Sequence, residues 1–214
     1  MAARPVLDKK VAKLKIQIKE MSDLVNVSIN QATTALINGD RTLARKVLAD
    51  GDRIDDMEES ITKECFHLLS TQAPIASDLR YCMAVMRMIR DLERIGDHSE
   101  NLAKYTMKFE STKFVSETKE LVTMSKMASK MVETATEAFI ERDVALAMSV
   151  WRSDERVDDL YRDFFLKKID ESTLIATHLE RIADYATNIC EDIMFYMDGK
   201  LNFDLETEPE TESK

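Results

Sequence analysis

The chain repeats itself. Residues 21–57, MSDLVNVSINQATTALINGDRTLARKVLADGDRIDDM, align without a gap to residues 124–160, MSKMASKMVETATEAFIERDVALAMSVWRSDERVDDL, at an offset of 103. Met21/Met124, Ala32/Ala135, Asp40/Asp143, Leu43/Leu146, Val47/Val150, Asp55/Asp158 and Asp56/Asp159 are identical pairs. LERIGDHSEN at 92–101 then matches LERIADYATN at 179–188, at an offset of 87. Such self-similarity means two copies of one supersecondary unit. The second copy is 16 residues shorter between its two matching stretches.

The unit is helical. Four glycines and three prolines in 214 residues leave too few turn formers for a β-rich or alternating α/β chain. Leu7, Val11, Leu14, Ile18, Met21, Val25, Ile29 and Ala32 follow steps of three and four, which is one stripe of a long helix. Asn38-Gly39-Asp40 supplies a C-cap glycine followed by an N-cap aspartate. A second helix is expected from about Arg41 to Leu69. A turn with Pro74 leads into a third from about Ile75 to Phe109. A fourth is expected over Val115 to Ile140, a fifth from near Asp143, and a sixth ending near Asp198 with Gly199 as its cap. The expected fold is all-α: two tandem three-helix bundles related by the repeat, at 8–110 and 115–199. The second has a shortened hairpin near residue 168. The tail at 204–214 holds five acids and little apolar content, so disorder is expected there.

Composition removes several function classes. With 30 Lys+Arg against 40 Asp+Glu the net charge is −10, which argues against nucleic acid and against anionic lipid. No apolar run approaches a membrane span, and no signal peptide is evident, so a cytoplasmic protein is expected. Cys65, Cys82 and Cys190 are odd in number and lack close spacing, which suits reduced, buried thiols. No nucleophile–base arrangement, glycine-rich phosphate loop or zinc spacing is visible.

The residues that could carry chemistry are carboxylates. Glu93, Asp97 and Asn101 stand at i, i+4 and i+8, on one helix face, and Glu180, Asp184 and Asn188 repeat the pattern. The second helix offers Asp52, Asp55, Asp56 and Glu59, and the fifth offers Asp154, Glu155, Asp158 and Asp159. A hairpin centred between residues 72 and 73 would set Asp52 level with Glu93. One centred near 167–168 would set Glu155 level with Glu180. Carboxylates from neighbouring helices would then meet in both repeats. Such clustering is costly unless a cation or arginine compensates it, and oxygen-rich sites suit Mg²⁺, Mn²⁺ or iron. The other reading is a solvated acidic face paired with Arg53, Arg94, Arg156 and Arg181. His67, His98 and His178 are read as surface or packing residues.

Residues 71–105, TQAPIASDLRYCMAVMRMIRDLERIGDHSENLAKY, resemble the central signature of the PhoU family. Ala76-Ser77-Asp78-Leu79-Arg80 and Leu92-Glu93-Arg94-Ile95-Gly96-Asp97-His98 carry the likeness. The second repeat echoes it at Leu179-Glu180-Arg181-Ile182-Ala183-Asp184 and Asn188-Ile189-Cys190-Glu191. The resemblance implies a cytoplasmic, non-catalytic regulator of phosphate uptake that commonly forms a homodimer. It implies two partners, the ATPase of the Pst phosphate transporter (PstB-type) and a PhoR-type sensor histidine kinase, and repression of the phosphate-starvation response when phosphate is plentiful. It also implies multinuclear iron or zinc clusters held by Glu/Asp-x-x-x-Asp motifs. Glu93/Asp97 and Glu180/Asp184 match that motif; Asp154/Asp158, Glu155/Asp159 and Asp52/Asp56 share its spacing. Gly51 stands where the second repeat has Asp154. The segment FLKKIDESTLIATHLERIAD is shorter than the family's usual connection, through a deletion or a loop absent from this chain. Two rival classes remain: a metal-dependent enzyme using the acid clusters, and a metal-free helical scaffold.

Overall fold

A computed structural model describes residues 5–72, 75–167 and 171–198. Pro74, Gly199, the hairpin tip at 168 and the acidic tail at 204–214 lie outside the described residues.

Seven helices account for nearly all of it: α1 (Pro5–Asn38), α2 (Arg41–Thr71), α3 (Ala76–Lys108), α4 (Lys113–Glu117), α5 (Lys119–Glu141), α6 (Val144–Lys167) and α7 (Glu171–Asp198). The long first stripe becomes the buried side of α1: Leu7, Leu14, Ile18, Met21, Val25, Ile29 and Ala32 are all buried. The two repeats start their second helices alike. Asp40 accepts from the amides of Thr42 and Leu43 at 2.9 Å, and Asp143 accepts from that of Leu146 at 2.9 Å. Each cap satisfies amides that a helix start leaves orphaned. The preceding residue in each repeat is left-handed, Gly39 at φ 64° and Arg142 at φ 59°.

The expected fourth helix is broken. Thr118 leaves the helical region (φ −102°, ψ 96°) and separates the short α4 from α5. Val115 and Leu121 are both buried. Six residues apart on a straight helix they would point about 120° from each other; the break lets both reach the core.

Helices α1, α2 and α3 pack on one another, as do α5, α6 and α7, and the two triplets join through α1 against α5 and α3 against α7. The second hairpin is the shorter one: α6 and α7 have 24 and 28 residues, against 31 and 33 in α2 and α3. The join is antiparallel, since Lys15 reaches the Ile140 carbonyl at 2.7 Å while Asn30 reaches Ser129 at 3.2 Å. Its centre brings equivalent residues together. Asn26 and Ser129, related by the 103 offset, hydrogen-bond at 3.3 Å. His98 and Tyr185, related by the 87 offset, have ring centroids 5.7 Å apart. When residue i meets its own counterpart, a two-fold axis passes between them. The repeat is therefore a pseudo-dimer within one chain, and a single apolar core runs through both halves.

Candidate metal centre

Glycine at two positions lets α2 and α3 approach closely. A Cβ on Gly96 would lie 3.0 Å from Ile54, and the Glu100 carboxylate lies directly over Gly51. The outer edges of this crossing, and of its counterpart between α6 and α7, carry the acids.

In the second repeat three of them converge. Carboxylate oxygens of Asp154 and Asp158 on α6 and of Asp184 on α7 lie within 4.8 Å of one another. Asp154 Oδ1 is buried and has no hydrogen-bond partner among the described residues. Arg181 gives only loose compensation, 3.7 Å from both Glu180 and Asp184. Burial, then the carboxylates of Asp158 and Asp184, pushes Asp154 up to about 7. Burial, then Asp184, does the same to Glu180, also to about 7. Burial raises Asp184 despite Arg181. Two predicted members stand aside: Glu155 is exposed, and Asp159 turns to Arg162 at 2.9 Å.

The first repeat arranges the same residue types differently. Asp55, the counterpart of Asp158, faces Asp97, the counterpart of Asp184, and burial followed by the Asp97 charge raises its pKa. Asp52 and Asp56 are exposed beside it. Glu100 occupies the space that the side chain of Asp154 takes in the second repeat, tied to Lys104 at 3.1 Å. Arg94 holds Asp97 at 3.1 Å and lies 3.5 Å from Glu93. Burial, then Asp97, raises Glu93. Among the described residues only the Asp154–Asp158–Asp184 set converges on one point.

The helix register explains the difference from expectation. Glu93 faces Asp55 and Glu58 rather than Asp52, roughly one helical turn from the pairing that hairpin symmetry implied. Asp55 is the acid that this symmetry argument underweighted; its identity with Asp158 across the repeat was the signal that pointed to it.

The donor chemistry fits a hard cation at the second patch. Oxygen ligands on two rigid helices, one buried oxygen without a donor, and weak arginine compensation are what a divalent ion would satisfy. Asp154, Asp158 and Asp184 would hold it, with Glu180 adjacent. The ion would supply neutralisation of charge.

Between the two acidic edges, sequence reasoning missed a histidine contact. His98 and His178 meet across the α3–α7 join, Nδ1 to Nδ1 at 2.8 Å, with the Tyr105 hydroxyl 3.4 Å from His178 Nε2. Burial, then His178, pushes His98 down to about 4. The packing role expected of these residues is correct, and the repeat offset is what brings them together.

These shifts give stability a pH dependence. Asp154 and Glu180 titrate near 4 when unfolded and about 7 when folded, so the folded state takes up protons first and gains stability as pH falls from 8 towards 6. His98 acts oppositely, because its folded pKa lies below the unfolded value, and its contribution is lost below about 6.5. In chelator, the thermal midpoint should therefore rise by a few degrees between pH 8 and pH 6.5, solvent screening of these half-exposed groups limiting the gain. Scanning calorimetry of the chain and of Asp154→Asn checks it: a flat profile in the parent, or an unchanged slope in the variant, rejects the assignment.

The chain is similar to known proteins in sequence and in fold. The family model for the PhoU domain matches residues 18–106 and 121–193, one match in each repeat. The phosphate-specific transport system accessory protein PhoU homolog 1 of Thermotoga maritima is 34% identical, over 90% of this chain and 89% of that one. PhoU of Escherichia coli K12, of the same description, is 28% identical over 87% and 83%. The crystal structure of the phosphate transport system regulatory protein PhoU from Streptococcus pneumoniae superposes with a TM-score of 0.83 at 28% identity, covering 92% of this chain and 99% of that one. PhoU from Pseudomonas aeruginosa gives 0.78 at 29%, over 90% and 99%.

Proposed function

Since the chain belongs to the PhoU family, we propose that it is a regulatory accessory protein of phosphate transport, acting by binding and not by catalysis. The observation that carries this reading is the match of both repeats to one domain, together with relatives named as accessory proteins of the phosphate-specific transport system.

At the finer level, the chain is an adaptor between the Pst transporter ATPase and a PhoR-type sensor kinase, silencing the starvation response when phosphate is plentiful, in the cytoplasm and as a homodimer. Two features support an adaptor. No described helix is long and apolar enough to cross a membrane. The two hairpin ends, one per repeat, each expose large apolar side chains: Phe66, Leu79 and Met83 on the first, Phe165, Leu166 and Leu174 on the second. Exposed apolar clusters mark partner surfaces, and two separate ones suit two partners. Regulation needs only that such a surface fit one state of a partner better, by about 1–3 kcal/mol. A metal-dependent enzyme is the weaker reading, because Asp154, Asp158 and Asp184 sit half-exposed on a helical surface without walls that exclude water.

The test is genetic and biochemical together. Deleting the gene in its host should raise a starvation reporter by about tenfold at high phosphate, the scale of a 1.4 kcal/mol coupling. The full chain should restore repression. The Glu93→Ala/Asp97→Ala variant should fold but restore it only in part. A deletion strain that stays repressed removes the regulatory reading. Full restoration by a normally expressed double variant removes the acidic stripe as its working surface.

A further inference from the structure

The pseudo-two-fold axis creates two related clefts, one at each end of the join, and they differ in chemistry. One, of about 300 Å³, is lined by Gly39, Arg41, Phe109 and the α3–α4 connection. The other, of about 520 Å³, lies between the start of α1, the first turns of α3, the α5–α6 turn and the end of α7. Under the repeat offsets Gly39 corresponds to Arg142 and Phe109 to Tyr196. The first turns of α3 have no helical counterpart in the smaller cleft, because α7 begins only at Glu171, level with Ala84. Shortening of the second hairpin thus leaves the larger cleft alone with Ser77, Arg80 and Tyr81.

We propose that this larger cleft binds a phosphoryl group, as free phosphate or as the terminus of a small metabolite. Two of its lining residues carry buried donors that lack partners among the described residues. Tyr81 is 4% exposed, and its hydroxyl is buried without a hydrogen-bond partner among the described residues. Arg80 Nε is buried and likewise unmatched. Leaving such donors unpaired is costly, and native proteins do so rarely.

Arg142 adds a second argument. It occupies a left-handed turn position at φ 59° where the first repeat places Gly39 at φ 64°. Glycine is the unstrained residue there. An arginine kept in that conformation points to a use for its side chain. Its guanidinium sits 4.8 Å over the Tyr196 ring, at the mouth of the cleft.

Lys15 is a third cation on the wall, its ammonium anchored on the Ile140 carbonyl at 2.7 Å. Two acids share the lining. Asp78 is engaged with the Ile75 amide at 2.9 Å, capping α3, and Asp8 is exposed on the rim. Three cations therefore face two carboxylates. Two arginine forks with tyrosine and serine hydroxyls supply more donors than the two oxygens of a planar carboxylate accept, and suit the several terminal oxygens of a phosphoryl group. The volume exceeds inorganic phosphate and leaves room for an organic body. A ligand held here would touch α1 and α3 of one repeat and Arg142 and Tyr196 of the other, stapling the halves together.

The experiment is titration calorimetry of the full chain, in chelator, with inorganic phosphate, AMP and citrate. Phosphate or AMP should bind. Arg142→Gly and Arg80→Met should each weaken that binding about tenfold or more, the scale of a lost charge-assisted hydrogen bond. Tyr81→Phe, which removes one oxygen, should weaken it severalfold. Arg142→Gly should unfold at the parent temperature or above it, so its loss of binding is not a loss of fold. Tighter AMP identifies a metabolite ligand and tighter phosphate identifies the free ion; either supports the site. Absence of binding by both at about 10 mM (Kd in the range of the weakest meaningful ligands), binding of citrate alone, or binding unchanged in Arg142→Gly overturns it.

Discussion

Replacing Phe139 by alanine should lower the thermal unfolding midpoint by about 10 °C. Phe139 is 2% exposed on α5, with ring centroids 6.4 Å from both Tyr81 of α3 and Tyr196 of α7. It therefore joins the two repeats at a point where three helices meet. Burying a phenylalanine and then deleting it costs about 3–5 kcal/mol, because transfer energy is lost and a cavity is left. Each kcal/mol moves the midpoint of a chain this size by about 2–4 °C. The neighbouring rings are poorly placed to collapse into the void, since Tyr196 is held under Arg142. Ile16→Ala is the matching control. Ile16 is 60% exposed and should change the midpoint by about 1 °C or less. A Phe139→Ala midpoint within 2 °C of the parent would show that the halves are not joined through this cluster.

The second large effect concerns cations. Titrating metal-free protein with Mn²⁺, Zn²⁺ or Fe²⁺ to about a hundred times its Kd should stabilise it by about 2.7 kcal/mol, a shift of about 5–10 °C. The Asp154→Asn/Asp158→Asn/Asp184→Asn variant should lose this response. Without metal it should be more stable than the parent at pH 8, because the burial of charge and the repulsion that together raise Asp154 are gone. Glu93→Gln/Asp97→Asn should keep the response, since Arg94 already ties that pair in the first repeat. Parent protein indifferent to all three ions would remove the metal centre. An equal response in the triple variant would move it elsewhere.

What was legible in the sequence was what local rules decide. Stripes at steps of three and four marked the helices because only one face of each can be buried. Asp40 and Asp143 marked the starts of α2 and α6 because a helix start leaves amides without partners. The repeat announced two equivalent three-helix units, and LERIGD with LERIAD placed acids on equivalent faces of α3 and α7. The break at Thr118 was not legible, since it answers to the core's demand for both Val115 and Leu121.

Tertiary structure alone decided which of those acids meet. Hairpin symmetry puts Asp52 opposite Glu93, but the packing of Gly96 on Ile54 sets the crossing of α2 and α3, and Asp55 and Glu58 face Glu93 instead. A helix turned by a fraction of a turn changes every side chain it presents, and sequence spacing carries no information on that rotation. The same holds for the join between repeats. Nothing local announces that His98 meets His178, or that Arg80, Tyr81, Arg142 and Tyr196, drawn from three separate stretches of the chain, line one cleft. Sequence alone determined the helices and their duplication, because those follow from contacts within a few residues. The pseudo-two-fold docking of one copy on the other decided the sites, because they are assembled from side chains that only long-range packing brings together.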